Sequence, residues 1–276
     1  MIHDYYLSEA RDYKDIELAK KKKEVLNKLK ESKIIDEFYP NQEDLQNLPE
    51  NSTLIKISFT LKKPYTSKDE GEFHIINGNK LENPIVRDKF TGLPMVRPST
   101  WKGHLRFAAE RVKSEKDQKK TIIKRLFGSE TEEEETLKGR LYFFPTLFEE
   151  KAKRDVITPL KRDTRTPTKR GPIPLEVMKP ESVGEFYLLY VPSPKGFYFR
   201  EEQIKENLGF ISEALRLMFY TYGFSAKKTA GFGVIKETLT EGEIWMKLGE
   251  GLQEKNFSKL DELKNKLAEL CNKSNE

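Results

Sequence analysis

The feature that most constrains the fold is a long amphipathic helix placed directly after a buried strand. Residues 185–191 (EFYLLYV) are almost entirely apolar, which is typical of a strand with both faces covered. Residues 201–222 then carry apolar side chains at steps of three and four, a spacing that predicts a helix with one buried face: Ile204, Leu208, Ile211, Leu215, Phe219 and Tyr222. This helix needs a sheet to pack on, so the pattern predicts a globular chain with both helices and strands.

Other segments extend this pattern into an α+β fold. Residues 54–61 (LIKISFTL) alternate like a half-buried strand, and helices are predicted over about 99–112 and 121–127. Residues 139–148 are strand-like but broken by Pro145, and residues 151–183 predict an extended hairpin with a mobile tip. The order strand, helix, strand, strand, helix, strand matches the split βαβ pattern, so we expect a ferredoxin-like or RRM-like sheet with long insertions.

The two ends of the chain add further helices to the prediction. Residues 14–33 carry one apolar stripe, and residues 258–271 carry another, with Ser258 and Asp261 as a capping box. A Gly-rich loop at 223–233 is expected to lead into a strand that starts at Val234. We therefore divide the chain into an N-terminal helical extension (1–50), a ferredoxin-like domain (51–250) and a C-terminal helix on or beside the same domain (251–276).

Composition sets the class of protein and its compartment. Of the 276 residues 11% are aromatic, too many for a disordered chain, although 34% are charged. The sequence holds one cysteine, Cys271, so no intramolecular disulfide is expected. No secretion signal and no apolar run approaching twenty residues is visible, which favours a cytoplasmic protein that does not enter a membrane.

Charge is unevenly distributed, although the net value is only +5. Residues 101–125 carry nine Lys/Arg against three acids, and residues 151–173 carry eight against two. These basic segments are interrupted by Thr, Pro and Gly, a composition suited to a phosphate backbone. The acidic run at 130–135 (ETEEEE) is expected to be a solvated loop.

The helix that begins in RPSTWKGHLR (97–106) has the wrong charge for its first turns. Helix N-termini carry partial positive charge and favour acids, yet this one carries a lysine and an arginine. The pattern indicates that an anion comes from elsewhere. The candidate contacts are Ser99, Thr100, Lys102, Gly103 and Arg106. The alternative is that Ser99 only caps the helix.

The Gly-rich loop has two interpretations. Its glycines can simply provide the positive φ angles of a tight connection, or Lys227 and Lys228 at its tip can face phosphate. It does not fit a P-loop, because it follows a helix and precedes a strand.

The histidines and the single cysteine are the candidates for a metal site or a catalytic centre. His3, His74 and His104 lie far apart and Cys271 has no partner, so no metal site is expected. His104, beside basic residues, is either a polar contact or a general acid–base for RNA cleavage.

Taken together, the motifs resemble the RAMP superfamily of CRISPR type III effector subunits. Residues 83–106 (NPIVRDKFTGLPMVRPSTWKGHLR) are similar to the element that opens the family's first helix. RLFGSE (125–130), GRLYFF, RDTRTPTKRGPIPLEVM and AKKTAGFGVI then resemble, in order, a Leu-Phe-Gly segment, the strand after it, the thumb hairpin and the C-terminal Gly-rich loop. The resemblance covers roughly residues 54–238.

The resemblance implies an RNA-binding subunit that holds CRISPR RNA and its target duplex beside other effector subunits in antiviral defence. It places the helix start at the CRISPR RNA backbone and the thumb hairpin across the guide–target duplex, which adds Arg162, Arg165, Lys169 and Arg170 as RNA contacts. A protein-interaction subunit, whose basic loops meet acidic neighbours, is a third possibility besides RNA binding and catalysis.

The resemblance also identifies the position at which a catalytic residue is expected. Subunits of this family that cut target RNA carry an aspartate two residues before the matching proline, and here that position is Glu82. The longer side chain is expected to be a poor catalyst, since small displacements cost large factors in rate. Mg²⁺ or Mn²⁺ is implied as a cofactor only if Glu82 supports cleavage.

Overall fold

A computed structural model provides the architecture. It describes residues 39–67, 74–76, 79–81, 83–89, 91–129, 136–161, 163–164, 166–168, 171–192, 202–249 and 251–273. The amphipathic segment at 14–33 lies outside the described residues, so its helix stays a prediction.

Helices and strands are interspersed along the chain. They are β1 Thr53–Thr60, β2 His74–Ile76, β3 Asn79–Leu81, β4 Met95–Val96, α1 Pro98–Ala109, α2 Lys116–Phe127, β5 Leu141–Phe143, β6 Thr146–Leu147, β7 Lys153–Ile157, β8 Ile173–Val177, β9 Val183–Tyr190, α3 Glu202–Arg216, β10 Glu241–Leu248, β11 Gly251–Asn256 and α4 Leu260–Lys273. Among the described residues, three short helical segments accompany them: 3₁₀ turns at Glu43–Asn47 and Lys228–Ala230, and a π-helical segment at Leu217–Tyr222 that continues α3.

A five-stranded sheet in the order β11-β10-β1-β9-β5 forms the centre of the protein. Every neighbouring pair is antiparallel, and Ile55 of β1 lies opposite Ile244 of β10 and Leu188 of β9. The expected combination of helices with an antiparallel sheet is therefore confirmed. The hairpin expected over 151–183 is also present, since β7 pairs with β8 and Lys153 lies opposite Val177.

One face of the sheet carries the main hydrophobic core, which α1, α3 and α4 cover. The aromatic rings of this core hold α1 against the sheet: Trp101 lies 4.8 Å from Phe186 and 4.4 Å from Phe224 between ring centroids. The Trp101 indole Nε1 donates to Thr146 Oγ1 at 3.1 Å, so its polar atom is satisfied inside the core. Because Trp101 is fully buried, it fixes the rotation of α1 about its own axis. The other side chains of the helix are therefore held in fixed directions relative to the sheet.

The opposite face of the sheet is partly covered by the segment that precedes β1. Tyr39 stacks on Tyr187 with ring centroids 4.6 Å apart, beside a small cluster around Leu45 and Leu54. Farther along this face the Lys56 ammonium lies between carboxylates, 2.9 Å from Glu241, 3.1 Å from Glu243 and 3.8 Å from Glu185. Burial alone lowers the pKa of Lys56, but hydrogen bonds to these carboxylates outweigh it and raise the pKa.

Several details differ from the sequence expectations, among them the helix expected over 121–127, which begins at Lys116. The strand expected from Val234 begins at Glu241, because Ile235 forms only an isolated bridge with Leu61 beyond the end of β1. The partner of Ser258 at the start of α4 is Glu262, not Asp261, with the Ser258 amide and hydroxyl donating to its two carboxylate oxygens at 3.0 Å. The segment after residue 250 contributes β11 to the sheet as well as the predicted helix. The division into an extension, a domain and a C-terminal helix stays a prediction.

Candidate nucleic-acid interface

The N-terminus of α1 has no side-chain cap. The N-cap residue is Arg97, Pro98 occupies the first helical turn, and no side chain bonds the free amides. Ser99 lies inside the helix, so the interpretation that it serves only as the cap is wrong. An uncapped helix start presents backbone N–H groups and positive dipole charge, which together suit an anion.

The exposed side of α1 is cationic. No acidic residue lies in its first turn, and Lys102 and Gly103 are exposed one turn from Arg106. The Nε of Arg106 lies 3.9 Å from a carboxylate oxygen of Glu110, both partly exposed, so this pair holds Arg106 only weakly. A Cβ added at Gly103 would meet no atom within 4 Å, and this glycine is therefore not needed for packing within the protein. Open space at that point leaves room for the backbone of a partner.

The Gly-rich loop is closed by contacts between its own ends. Gly223 and Gly233 have φ angles of +72° and +78°, and a Cβ at Gly223 would lie 2.2 Å from the carbonyl oxygen of Phe232. Ser225 Oγ donates to the Thr66 carbonyl at 2.9 Å and accepts from its amide at 3.0 Å, which docks the loop on the segment after β1. The structural interpretation of the glycines is thus correct.

Helix α1 and the Gly-rich loop meet through the third turn of the helix. The Lys228 ammonium lies 3.6 Å from the centroid of the Phe107 ring, next to His104. Burial, with the Lys228 charge as a second cause, lowers the pKa of His104 to about 4. Two of the predicted basic groups, the one on α1 and the one at 227–228, therefore lie side by side although they are more than 120 positions apart in sequence.

The base of the hairpin lies against the same region. The Arg87 guanidinium donates to both carboxylate oxygens of Glu176 at 3.3 Å, and Thr66 Oγ1 donates to the Glu176 carbonyl at 2.8 Å. Glu176 also accepts from the Ile85 amide at 3.1 Å. Glu176 thus joins β8 to two other segments, through its carbonyl to the segment after β1 and through its largely buried carboxylate to the segment before α1. It positions the hairpin relative to α1.

Five predicted site residues lie outside the described residues. They are Glu82, Arg162, Arg165, Lys169 and Arg170. Their roles stay predictions. Within the described part of the chain, no three His, Cys, Asp or Glu side chains come together as metal ligands.

The sequence reasoning missed the contacts that assemble this interface. Phe107 and Arg111 are four positions apart, and side chains with this spacing are neighbours in a helical segment. The sequence could therefore have predicted their contact. The pairing of Arg87 with Glu176 had no local signal, because 89 positions separate the two residues.

No described helix combines the length and apolar character needed to cross a lipid bilayer. This finding concerns only the part of the chain that the structure describes.

The chain is similar to chains of two solved structures and matches one protein family. A chain in the cryo-EM structure of the type III-B Cmr-beta bound to cognate target RNA is 17% identical, with a TM-score of 0.49 over 83% of this chain and 68% of that one. A chain in the crystal structure of the Csm3-Csm4 subcomplex of the type III-A CRISPR-Cas interference complex is 16% identical, with a TM-score of 0.49 over 80% and 96%. No curated protein sequence matches. The sequence model of the RAMP superfamily matches residues 70–236, which is more than half of the chain and includes α1, the hairpin and the Gly-rich loop, so the protein belongs to the RAMP superfamily.

Proposed function

We propose that this protein is an RNA-binding subunit of a type III CRISPR ribonucleoprotein effector complex in the cytoplasm. It holds CRISPR RNA and its target duplex, next to other effector subunits, in antiviral defence. Family membership and the motifs at 83–106, 125–130 and 223–235 support this assignment.

One observation carries the proposal: the uncapped, acid-free start of α1 lies beside an exposed cationic surface. We call the set Ser99, Thr100, Lys102, Gly103 and Arg106 the α1 surface. Phosphate oxygens accept from hydroxyls, ammonium groups and helix N-terminal amides alike, so an RNA backbone is the chemistry that this set fits. Contacts of this kind position RNA without reading its bases, as expected for a protein that accepts many guides.

We infer that the core is a ferredoxin-like split βαβ unit that binds RNA away from its sheet. The strands β1, β5, β9 and β10 lie in the order β10-β1-β9-β5, and α1 follows β1 while α3 follows β9, which supports this arrangement. RRM sheets stack bases on exposed aromatic residues. Here the Tyr187 ring is already stacked by Tyr39, and the carboxylates around Lys56 repel phosphate.

Repeat-RNA cleavage through His104 is disfavoured. A general acid–base works best with a pKa near the operating pH, whereas burial and Lys228 lower the pKa of His104 to about 4. His104 is therefore a neutral polar contact between α1 and the Gly-rich loop in the free protein. The subunit is proposed to be non-catalytic.

Charge removal on the α1 surface tests the proposal. Lys102→Ala combined with Arg106→Ala should weaken binding of single-stranded RNA by at least tenfold, since charged hydrogen bonds to phosphate contribute about 1.5 kcal/mol or more each. Affinity is measured by fluorescence anisotropy with a labelled mixed-sequence RNA at fixed salt.

A matched control removes two charges elsewhere. Lys205 and Lys264 are exposed on α3 and α4, where they bond Asn272 and Glu213. The variant Lys205→Ala with Lys264→Ala should bind RNA within about twofold of wild type, because only nonspecific attraction is lost. If both double variants lose affinity equally, or neither loses it, the α1 surface is not the RNA site.

A further inference from the structure

Two cations, one from the turn that follows α1 and one from the Gly-rich loop, lie against one aromatic ring. The Arg111 guanidinium carbon is 3.5 Å from the centroid of the Phe107 ring, and the Lys228 ammonium is 3.6 Å from the same centroid. The two cations are therefore no more than about 7 Å apart, close enough to repel each other. Tyr222, at the end of the π-helical segment, closes the cluster with its ring edge-on to Phe107 at 5.4 Å.

Carboxylates do not balance this pair of charges. The carboxylate of Glu110 is 3.6 Å from Arg111, but both side chains are well exposed (53% and 39%), and Glu110 is shared with Arg106. Exposed pairs of this kind contribute little. Among the described residues, no carboxylate pairs with Lys228. Burial, and next the charge of Arg111, lower the pKa of Lys228, so this ammonium lacks the partner that would stabilise its charged form.

The ring explains why both cations stay in place despite their repulsion. A cation over an aromatic face is attracted by the ring quadrupole, and Phe107 offers this attraction to both groups. Arg111 is held further by a hydrogen bond from its Nη1 to the Phe107 carbonyl at 2.8 Å. This bond engages only one of the guanidinium nitrogens, and the partly exposed fork retains donors for a ligand.

We propose that Arg111 and Lys228 together bind one phosphate group of the RNA backbone, with Phe107 as the residue that positions both cations. The inference rests on the proposed RNA-binding function and assigns it a second contact point. A phosphate fits because its oxygens accept from the planar guanidinium fork and from the ammonium at once, and because its charge removes the repulsion between them.

This second contact continues the α1 surface past the end of the helix. Arg111 lies five positions after Arg106 and twelve positions after Ser99, which places it about 18 Å from Ser99 along a helix axis. The Ser99 end of the α1 surface and the Arg111–Lys228 pair therefore bind different phosphates of one strand, and the RNA runs along the helix. The Gly-rich loop contributes through Lys228, which lies in the 3₁₀ turn Lys228–Ala230.

The test measures the number of phosphates neutralised. For single-stranded RNA, the slope of log K against log salt changes by about 0.7 for each phosphate contact. We expect Arg111→Gln to reduce the slope by about 0.7 and the affinity by about tenfold. Arg111→Lys should keep the slope, and Phe107→Leu should weaken binding without removing a charge. Lys113→Gln is the matched control, since Lys113 is exposed two positions away and does not contact the Phe107 ring.

The outcomes separate this inference from the proposed function. A wild-type protein that fails to bind the RNA probe overturns both. If the wild type binds RNA but Arg111→Gln and Lys113→Gln change the salt slope equally, only the phosphate contact at Arg111 and Lys228 is overturned. Circular dichroism and thermal unfolding of each variant confirm that the full chain is folded, and Arg111→Lys provides a second measurement at the same position.

Discussion

At the scale of single residues, the interface depends on positions that the fold itself does not need. Gly103 lies in the middle of α1, where glycine costs about 0.5–1 kcal/mol relative to alanine, and no atom lies within 4 Å of a Cβ placed there. Packing does not explain this glycine. The proposed RNA-binding function explains it by close approach of an RNA backbone.

Gly103→Ala should therefore separate stability from binding. We expect the free energy of unfolding to rise by about 0.5–1 kcal/mol, because the helix gains a better former, while RNA affinity falls several-fold. Gly209→Ala in α3 is the matched control: its Cβ also meets no atom within 4 Å, so it should stabilise the protein and leave RNA binding unchanged. Equal RNA affinity in the two variants would show that RNA does not approach Gly103.

His104 predicts a pH dependence of stability. Its pKa is about 4 in the folded protein and 6.5 in the unfolded chain, so the unfolded state binds a proton first as pH falls. Stability is complete above pH 6.5 and declines between pH 6.5 and about 4, by up to about 3 kcal/mol. Urea unfolding at pH 7.5 and pH 5.0 measures this loss, which should be smaller in His104→Gln. Identical losses in both proteins would contradict the assignment.

At the scale of elements, α3 buries the apolar face that its sequence predicts. The π-helical segment Leu217–Tyr222, which continues α3, positions the start of the Gly-rich loop. The π-helical segment ends with the Gly223 amide donating to the Met218 carbonyl, five residues back, at 2.8 Å. This widened last turn directs Tyr222 towards Phe107 while Phe219 stays in the core. π-Helical turns are often found at functional sites.

Phe219 should be one of the most sensitive core positions. Its ring lies 5.4–5.7 Å from those of Phe59, Trp101, Phe186 and Phe224, so it joins the sheet to α1 and to the loop. We expect Phe219→Ala to lower the free energy of unfolding by about 3–5 kcal/mol, the cost of a large core cavity. Thr221→Ala, at an exposed position in the same segment, should change stability by less than about 0.5 kcal/mol in the same denaturant titration.

At the scale of the whole molecule, the prediction at Glu82 concerns RNA cleavage by the proposed complex. Glu82 lies outside the described residues, and its side chain is one methylene longer than the aspartate that the family resemblance implies for cutting subunits. In a reconstituted complex with target RNA and Mg²⁺ or Mn²⁺, we expect little cleavage at this position from wild type and none from Glu82→Ala. Glu82→Asp is expected to gain activity, because reach governs such chemistry steeply. Strong wild-type cleavage abolished by Glu82→Ala would identify the protein as a target-RNA endonuclease.

The sequence by itself determined the elements and the segments of the site. Apolar side chains repeat every two positions in the strand at 54–61 and every three to four positions in the helix at 201–222. Each repeat places the apolar side chains on one face of its element, so the sequence shows which face is buried. The α1 surface was found in the same way, from a charge that contradicts the local helix dipole.

Only the tertiary structure decided how these segments meet. Lys228 reaches Phe107, and Glu176 reaches Arg87, across long separations in sequence that no periodic pattern encodes. The start of the strand at Glu241 and the pairing of Ser258 with Glu262 depended in the same way on what the rest of the chain placed beside them. Periodicity reports whether a side chain is buried. The partner it is buried against is selected by the packing of the whole chain, because close-packed contacts depend on shapes that distant segments supply.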